Sequence, residues 1–295
     1  MSETTSADRL RKRGLLVFLL LSFGLFWGWI VVARLVFGWS LANPLVQLPG
    51  GFTPAIAALV VRQRVTREGF ADDGSRPQLR ASWRFYLLAL LGPLGIAAAV
   101  VSVAAVTESA TPSLGLMSEA VAGVPVWIVP LLLCLLALAS TVVFWGEEYG
   151  WTGYLLLRIF PGRPRVAALA AGLIAAVWHY PLAFLGYAEY DNVVLGIALW
   201  TVWIMCQEVL LAWLRERSGS IWPACLAHAG NNMILVPLTS AMLLGAGGLN
   251  DDGVQRLVVL VLVVVAAGPF LRIGRPQRGA RRCQRSQSRP TARQR

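Results

Sequence analysis

The stretch PVWIVPLLLCLLALASTVVFWGEEYGWTGYLLL, residues 125–157, decides the fold. It is apolar for about twenty residues, the length a helix needs to cross the hydrocarbon core of a bilayer. Two adjacent glutamates, Glu147 and Glu148, then precede the next cation, Arg158. Comparable runs lie near 14–37, 84–106, 165–186, 193–214, 220–244 and 254–272. A shorter one at 44–61 is interrupted by Pro44, Pro49, Gly50, Gly51 and Pro54. This pattern predicts an all-α fold, a polytopic transmembrane helical bundle of about eight spans. The second span is expected to be kinked or half-buried at its breakers.

Composition agrees. The chain is 57% hydrophobic and 14% charged, where a soluble domain carries roughly 25% charge. The first run follows Arg9, Arg11, Lys12 and Arg13, as a secretory leader would, but it is too long for one and no small-residue cleavage pattern follows it. It reads as a retained span, giving a tail at 1–13, a transmembrane domain at 14–272 and an arginine-rich tail at 273–295. Cys134, Cys206, Cys225 and Cys283 show no CxxC spacing, so neither a disulfide framework nor a thiolate metal site is expected.

The net charge of +11 is distributed between the apolar runs rather than on one surface. Basic stretches (the N-terminus, 62–84, Arg158 to Arg165, Arg215 and Arg217, and the C-terminal tail) alternate with acidic ones (Glu108 and Glu119, Glu189 and Asp191, Asp251 and Asp252). Short cytoplasmic loops collect Lys and Arg, so both termini are expected in the cytoplasm. Keeping the irregular second span preserves this alternation. The tail from Arg272 to Arg295 is expected to touch anionic lipid. No aromatic residues interleave with its arginines to stack on bases, so nucleic acid is not an expected partner.

Ionisable groups inside spans are costly and mark function by default. They occur here in Trp145-Gly146-Glu147-Glu148, in Trp178-His179-Tyr180-Pro181, and in His228-Ala229-Gly230-Asn231-Asn232. At ~1.5 Å per residue, Glu147 and Glu148 lie roughly 15 Å from the arginine-bearing end of their span, His228 lies at a similar depth, and His179 sits at most roughly 20 Å deep. Three segments thus place their rarest side chains in one layer. His228 and Asn232, like Glu148 and Thr152, are one helical turn apart. Gly146 and Gly150 would let another helix approach beside the carboxylates. Glu208, with Gln207, reads first as a hydrogen-bonding or snorkelling group near a span end.

A carboxylate, two imidazoles and an amide suit hydrolysis by activated water: a glutamate can take a proton from water and pass it to a leaving amine, while His and Asn donors meet the oxyanion. The same residues allow a divalent metal such as zinc on Glu147, His179 and His228, although no HExxH is present. The two readings stay open on the sequence. No serine nucleophile context and no phosphate loop is visible.

Residues 125–245 resemble the CPBP (CAAX protease and bacteriocin-processing, Rce1-like or Abi) intramembrane proteases, whose motifs are EExxxR, FxxxH and HxxxN/D. Glu147-Glu148 with Gly150-Trp151 matches the first, His179 the second, and His228 with Asn232 the third. The resemblance implies an intramembrane endopeptidase acting on membrane-associated proteins or peptides, with Glu147 activating water and Glu148, His179, His228 and Asn232 completing the site. Thr152 stands where the motif has Arg, and Ala175 where FxxxH has Phe. The first removes a fixed positive charge beside Glu148; the second leaves volume beside His179. A non-catalytic membrane scaffold or bacteriocin-immunity protein with the same fold is the rival reading. A transporter would call for paired inverted repeats with broken helices, and the sequence shows one broken helix.

Overall fold

A computed structural model describes residues 2–120, 123–187, 190–244 and 249–275. Helix is the only regular structure among them, as lipid demands, because a helix satisfies its backbone groups internally. The spans are α1 (Ser6–Val36), α2 (Pro44–Val65), α3 (Leu79–Val106), α4 (Val129–Arg158), α5 (Pro164–Phe184) and α6 (Val193–Ser218). Next, α7 comprises Trp222–Gly230, a π turn at Asn231–Leu235 and Val236–Leu243. Finally comes α8 (Asp251–Arg272). Among the described residues seven of these are long and apolar enough to cross a membrane, all but α7. That helix is continuous, but His228, Asn231 and Asn232 dilute its apolar run. The chain is therefore an integral membrane protein built as a polytopic helical bundle. The expected lipid contact of the arginine-rich tail falls almost wholly outside the described residues, as does Glu189.

Some boundaries differ from the sequence reading. Helix continues upstream of the first apolar run to Ser2, since Asp8 pairs with Arg11 at 2.5 Å and Lys12 at 2.8 Å along one face. Arg11 also donates to the Arg158 carbonyl at 2.7 Å. A short helix, Leu114–Ala120, appears between α3 and α4. The second span is real and broken as expected. Asn43 caps it by accepting from the Leu45 N–H at 2.9 Å, and Pro44 occupies a first-turn position that needs no donor. The helix Pro44–Gly51 then gives way at Phe52 to Thr53–Val60.

The break serves a close contact. A Cβ added at Gly146 would meet the Gly51 carbonyl oxygen at 2.8 Å, and one at Gly150 would meet Pro54 Cβ at 2.3 Å and its carbonyl oxygen at 2.8 Å. The two glycines of α4 thus admit the backbone of α2, as their spacing suggested. Gly172 plays the same part between α5 and α6, where a Cβ would lie 2.8 Å from Met205 Cα. One core joins α1, α2, α5 and the end of α4 around Phe18, Phe26, Trp151, Tyr154 and Trp178. The other joins α3, α7, α8 and the start of α4 around Val100, Ile234, Leu235 and Val258. Glu147 and Glu148 lie on α4 where it passes from one core to the other.

The loop between α2 and α3 closes the arginine-bearing end. Arg62, counted in the sequence as one of several loop cations, is fully buried. It donates to Asp72 at 2.8 Å, to the Gly69 carbonyl at 2.7 Å and to the Gly153 carbonyl at 3.2 Å. Arg158 takes the other Asp72 oxygen at 2.9 Å and Glu68 at 2.8 Å. Partial burial works against the charged form of Asp72, but its hydrogen bond to Arg62 and the two guanidinium charges win and hold it below the usual carboxylate range. Gly74 and Ser75 in turn accept from the Ile221 N–H at 3.0 Å and from Trp222 Nε1 at 2.7 Å. The loop thereby ties the end of α4 to the start of α7.

Because Pro54 meets Gly150 through backbone atoms that cannot rotate away, Gly150→Ala is expected to destabilise by about 1–3 kcal/mol. Gly24, with nothing within 4 Å of its added Cβ, supplies the control. Thermal unfolding in detergent should show a lower Tm for Gly150→Ala and little change for Gly24→Ala; equal melting of the two would refute the α2–α4 contact.

Candidate functional site

Glu147, Glu148, His179, His228 and Asn232 all line one cavity of about 920 Å³. It runs from the buried layer of Glu148, His228 and Glu208 to exposed residues at the other end of the bundle, Ala42, Gly186 and Asp251. The helical depth count therefore succeeded: three helices bring their polar groups to a common level, and the opening lies away from the arginine-bearing end.

Two acid–imidazole pairs organise this layer. Glu148, fully buried, accepts a 2.8 Å hydrogen bond from His228 Nδ1. In the second pair, His179 Nδ1 lies 2.7 Å from the Ala175 carbonyl. A carbonyl can only accept, so Nδ1 carries the proton and Nε2 is left facing Glu147 Oε2 at 3.8 Å. That distance is too long for a direct hydrogen bond and short enough for one small oxygen to touch both groups. The adjacent glutamates thus point to different histidines, as the ~100° step between neighbouring helical residues requires.

The aromatic setting fixes His179. Trp178 stacks on Phe26 with ring centroids 3.6 Å apart and donates from Nε1 to the Ser22 carbonyl at 3.1 Å. Trp27 Nε1 donates to the Trp178 carbonyl at 2.9 Å. Helix α1 therefore holds the turn from which His179 projects, a role not visible in the sequence. On the other side Phe144 lies 4.6 Å from the His228 ring.

Asn232 and Thr152 each reach back one helical turn, as their spacing suggests, but to a backbone carbonyl. Asn232 Nδ2 turns back to the His228 carbonyl at 3.2 Å, and Thr152 Oγ1 to the Glu148 carbonyl at 2.9 Å. Both belong to π turns, Asn231–Leu235 and Trp151–Leu155. Such turns recur in helices at functional sites. Thr152 contributes no contact to the Glu148 carboxylate. Ala175 lines the cavity, so the volume expected beside His179 belongs to that open space.

Sequence reasoning undervalued Glu208. It is 3% exposed, lines the cavity, and its Oε1 has no hydrogen-bond partner, so it does not snorkel to a span end. Its own depth, about ten residues before Ser218 on α6 and roughly 15 Å from the span end, was the available signal. Gln207 and Asn231 line the same space.

Among the described residues no three His, Cys, Asp or Glu side chains form a group able to hold a metal ion. Nδ1 of His228 is engaged by Glu148 and Nδ1 of His179 by a carbonyl, which leaves Nε2 as the free nitrogen of each ring. Glu147, His179 and His228 do not form such a group among the described residues.

If the Glu148–His228 bond stabilises the fold, removing one partner leaves the other buried and unsatisfied. The single changes Glu148→Leu and His228→Leu should each lower stability, and the double mutant should lose less than their sum by at least about 1 kcal/mol. Strict additivity in the thermal unfolding cycle would rule out the pair as a source of stability.

No curated protein matches the chain. Residues 125–234, which carry Glu147, Glu148, His179, His228 and Asn232, match the family model described as type II CAAX prenyl endopeptidase Rce1-like.

Proposed function

We propose that the protein is an intramembrane endopeptidase that hydrolyses peptide bonds of membrane-associated proteins or peptides with an activated water. The observation that carries this reading is the facing of Glu147 Oε2 and His179 Nε2 across 3.8 Å, beside a second, hydrogen-bonded carboxylate–imidazole pair in the same cavity. The match over 125–234 to an endopeptidase family supports it.

In this mechanism a water lies between Glu147 and His179. Glu147 accepts its proton as the oxygen attacks the scissile carbonyl carbon. The new C–O bond forms while the carbonyl electron pair moves onto oxygen. His228, held by Glu148 through Nδ1, offers Nε2 to that oxyanion when its imidazole is protonated, and Asn232 is the nearby amide donor. Collapse of the intermediate re-forms the carbonyl and breaks the C–N bond, and Glu147 returns the proton to the leaving amine. His179 orients the water. No step passes through a metal.

Glu147→Gln removes the proton acceptor at nearly constant size. It is expected to reduce cleavage of a membrane-peptide library in detergent or nanodiscs by at least about a hundredfold, within the usual span for loss of a general base, while chelators leave the wild-type rate unchanged. A wild type that cleaves nothing, or a variant that cleaves as well, would defeat the reading.

The alternation of basic and acidic ends supports an orientation with both termini in the cytoplasm. The cavity opening then faces the outer side. Reporter fusions after Gly162 and Asn250 should report cytoplasm and exterior respectively; the reverse pattern overturns this orientation.

A further inference from the structure

The charge of the cavity lining has a direct bearing on its guest. Four carboxylates, Glu147, Glu148, Glu208 and Asp251, line it, and no Lys or Arg does among the described residues. Arg34, near the opening, is turned onto the Leu185 carbonyl at 3.1 Å. Glu147 faces His179 and Glu148 accepts from His228. Glu208 faces no imidazole: it is 3% exposed, and its Oε1, like Oε2 of Glu147 and of Glu148, is buried without a hydrogen bond.

Local packing keeps it there. Gly172 of α5 lies directly against it, so close that an added Cβ would sit 3.1 Å from Glu208 Cβ. Trp203 and Ile204, about one turn earlier on the same helix, and Trp200, about two turns earlier, line the cavity too, and Tyr187 and Tyr190 stand nearer its opening. Burying an unpaired carboxylate is costly, so the arrangement gains most from a guest that brings donors and positive charge. Aromatic faces beside a carboxylate add attraction for the same guest. A terminal carboxylate would meet only repulsion from these acidic groups.

We propose that Glu208 is a specificity-determining residue that binds a cationic nitrogen of the substrate, a Lys or Arg side chain or a free N-terminal ammonium, within the cavity. This rests on the peptidase reading for its substrate class, but the recognition itself is measurable without turnover.

The test uses full-length protein in nanodiscs and fluorescent apolar peptides that carry one lysine, or norleucine in its place, at successive positions. Each peptide is made with a free and an acetylated N-terminus. Wild type is expected to bind the best lysine or free-amine peptide roughly tenfold or more tighter than its neutral counterpart, the range of a charge-assisted hydrogen bond. Glu208→Gln, checked by its melting curve, should bring that ratio close to one. Preference lost on acetylation alone assigns the nitrogen to the N-terminus; preference that survives acetylation assigns it to the side chain. Equal binding of charged and neutral peptides by wild type overturns the proposal, as does a preference that Glu208→Gln leaves intact. Cleavage of the same peptides is read in parallel. Preference in binding without cleavage would defeat the peptidase reading and keep this one; cleavage without preference would do the opposite.

Discussion

The bond between Glu148 and His228 is the constraint around which the bundle is arranged. A carboxylate that is 0% exposed in a helix surrounded by lipid must find its donor inside the protein. The donor comes from α7, the helix whose polar residues leave it the least apolar of the eight. Bringing α7 against α4 requires the loop between α2 and α3 to tie the start of one to the end of the other, which it does through Gly74, Ser75 and the Arg62–Asp72–Arg158 network. The polar chemistry of one end therefore supports the polar chemistry of the site, although the two lie about three helical turns apart.

Close backbone contact does the rest. Gly146 and Gly150 flank the two glutamates, and the space they leave is occupied by Gly51, Phe52 and Pro54 of the broken helix α2. In lipid, where apolar side chains gain little from leaving one hydrocarbon for another, such small-residue contacts and internal hydrogen bonds carry helix association. The break in α2 is what lets Gly51 sit beside Glu147, its added Cβ lying 3.5 Å from Glu147 Oε1. A straight apolar helix there would have no reason for its prolines and glycines.

Much of this was legible in the sequence. Apolar run length gave the helices, and the alternation of charge kept the irregular second one. Counting residues inward from the nearest arginines put Glu147, Glu148, His179 and His228 in one layer because rise per residue is nearly constant in a helix. What the sequence could not express was direction. Which glutamate meets which histidine depends on the rotation of three helices about their axes. The engagement of His179 Nδ1 by its own helix, with Trp178 anchored on α1, is equally a tertiary fact. One-turn spacing correctly related Thr152 to Glu148 and Asn232 to His228, but it could not say that both would bond to the backbone carbonyl instead of the side chain. Arg62 looked like one more loop cation, and only the fold shows that it pairs with Asp72, whose acidic character in a basic stretch was the clue.

The position of Thr152 has a consequence for charge balance. A motif arginine there would have supplied a fixed cation one turn from Glu148. Thr152 instead spends its hydroxyl on a backbone carbonyl, and Glu148 depends on His228 alone among the described side chains for a hydrogen-bond donor. An imidazole can be neutral, so it balances a carboxylate only conditionally, whereas a guanidinium does so always. The buried layer then holds three carboxylates, Glu147, Glu148 and Glu208, against two conditional cations and no permanent one. Such a composition favours a guest that carries positive charge over one that carries negative charge. Each of the three carboxylates keeps an oxygen without a hydrogen bond, and Glu208 alone of them faces no imidazole, which is the asymmetry that the proposed recognition of a cationic nitrogen uses.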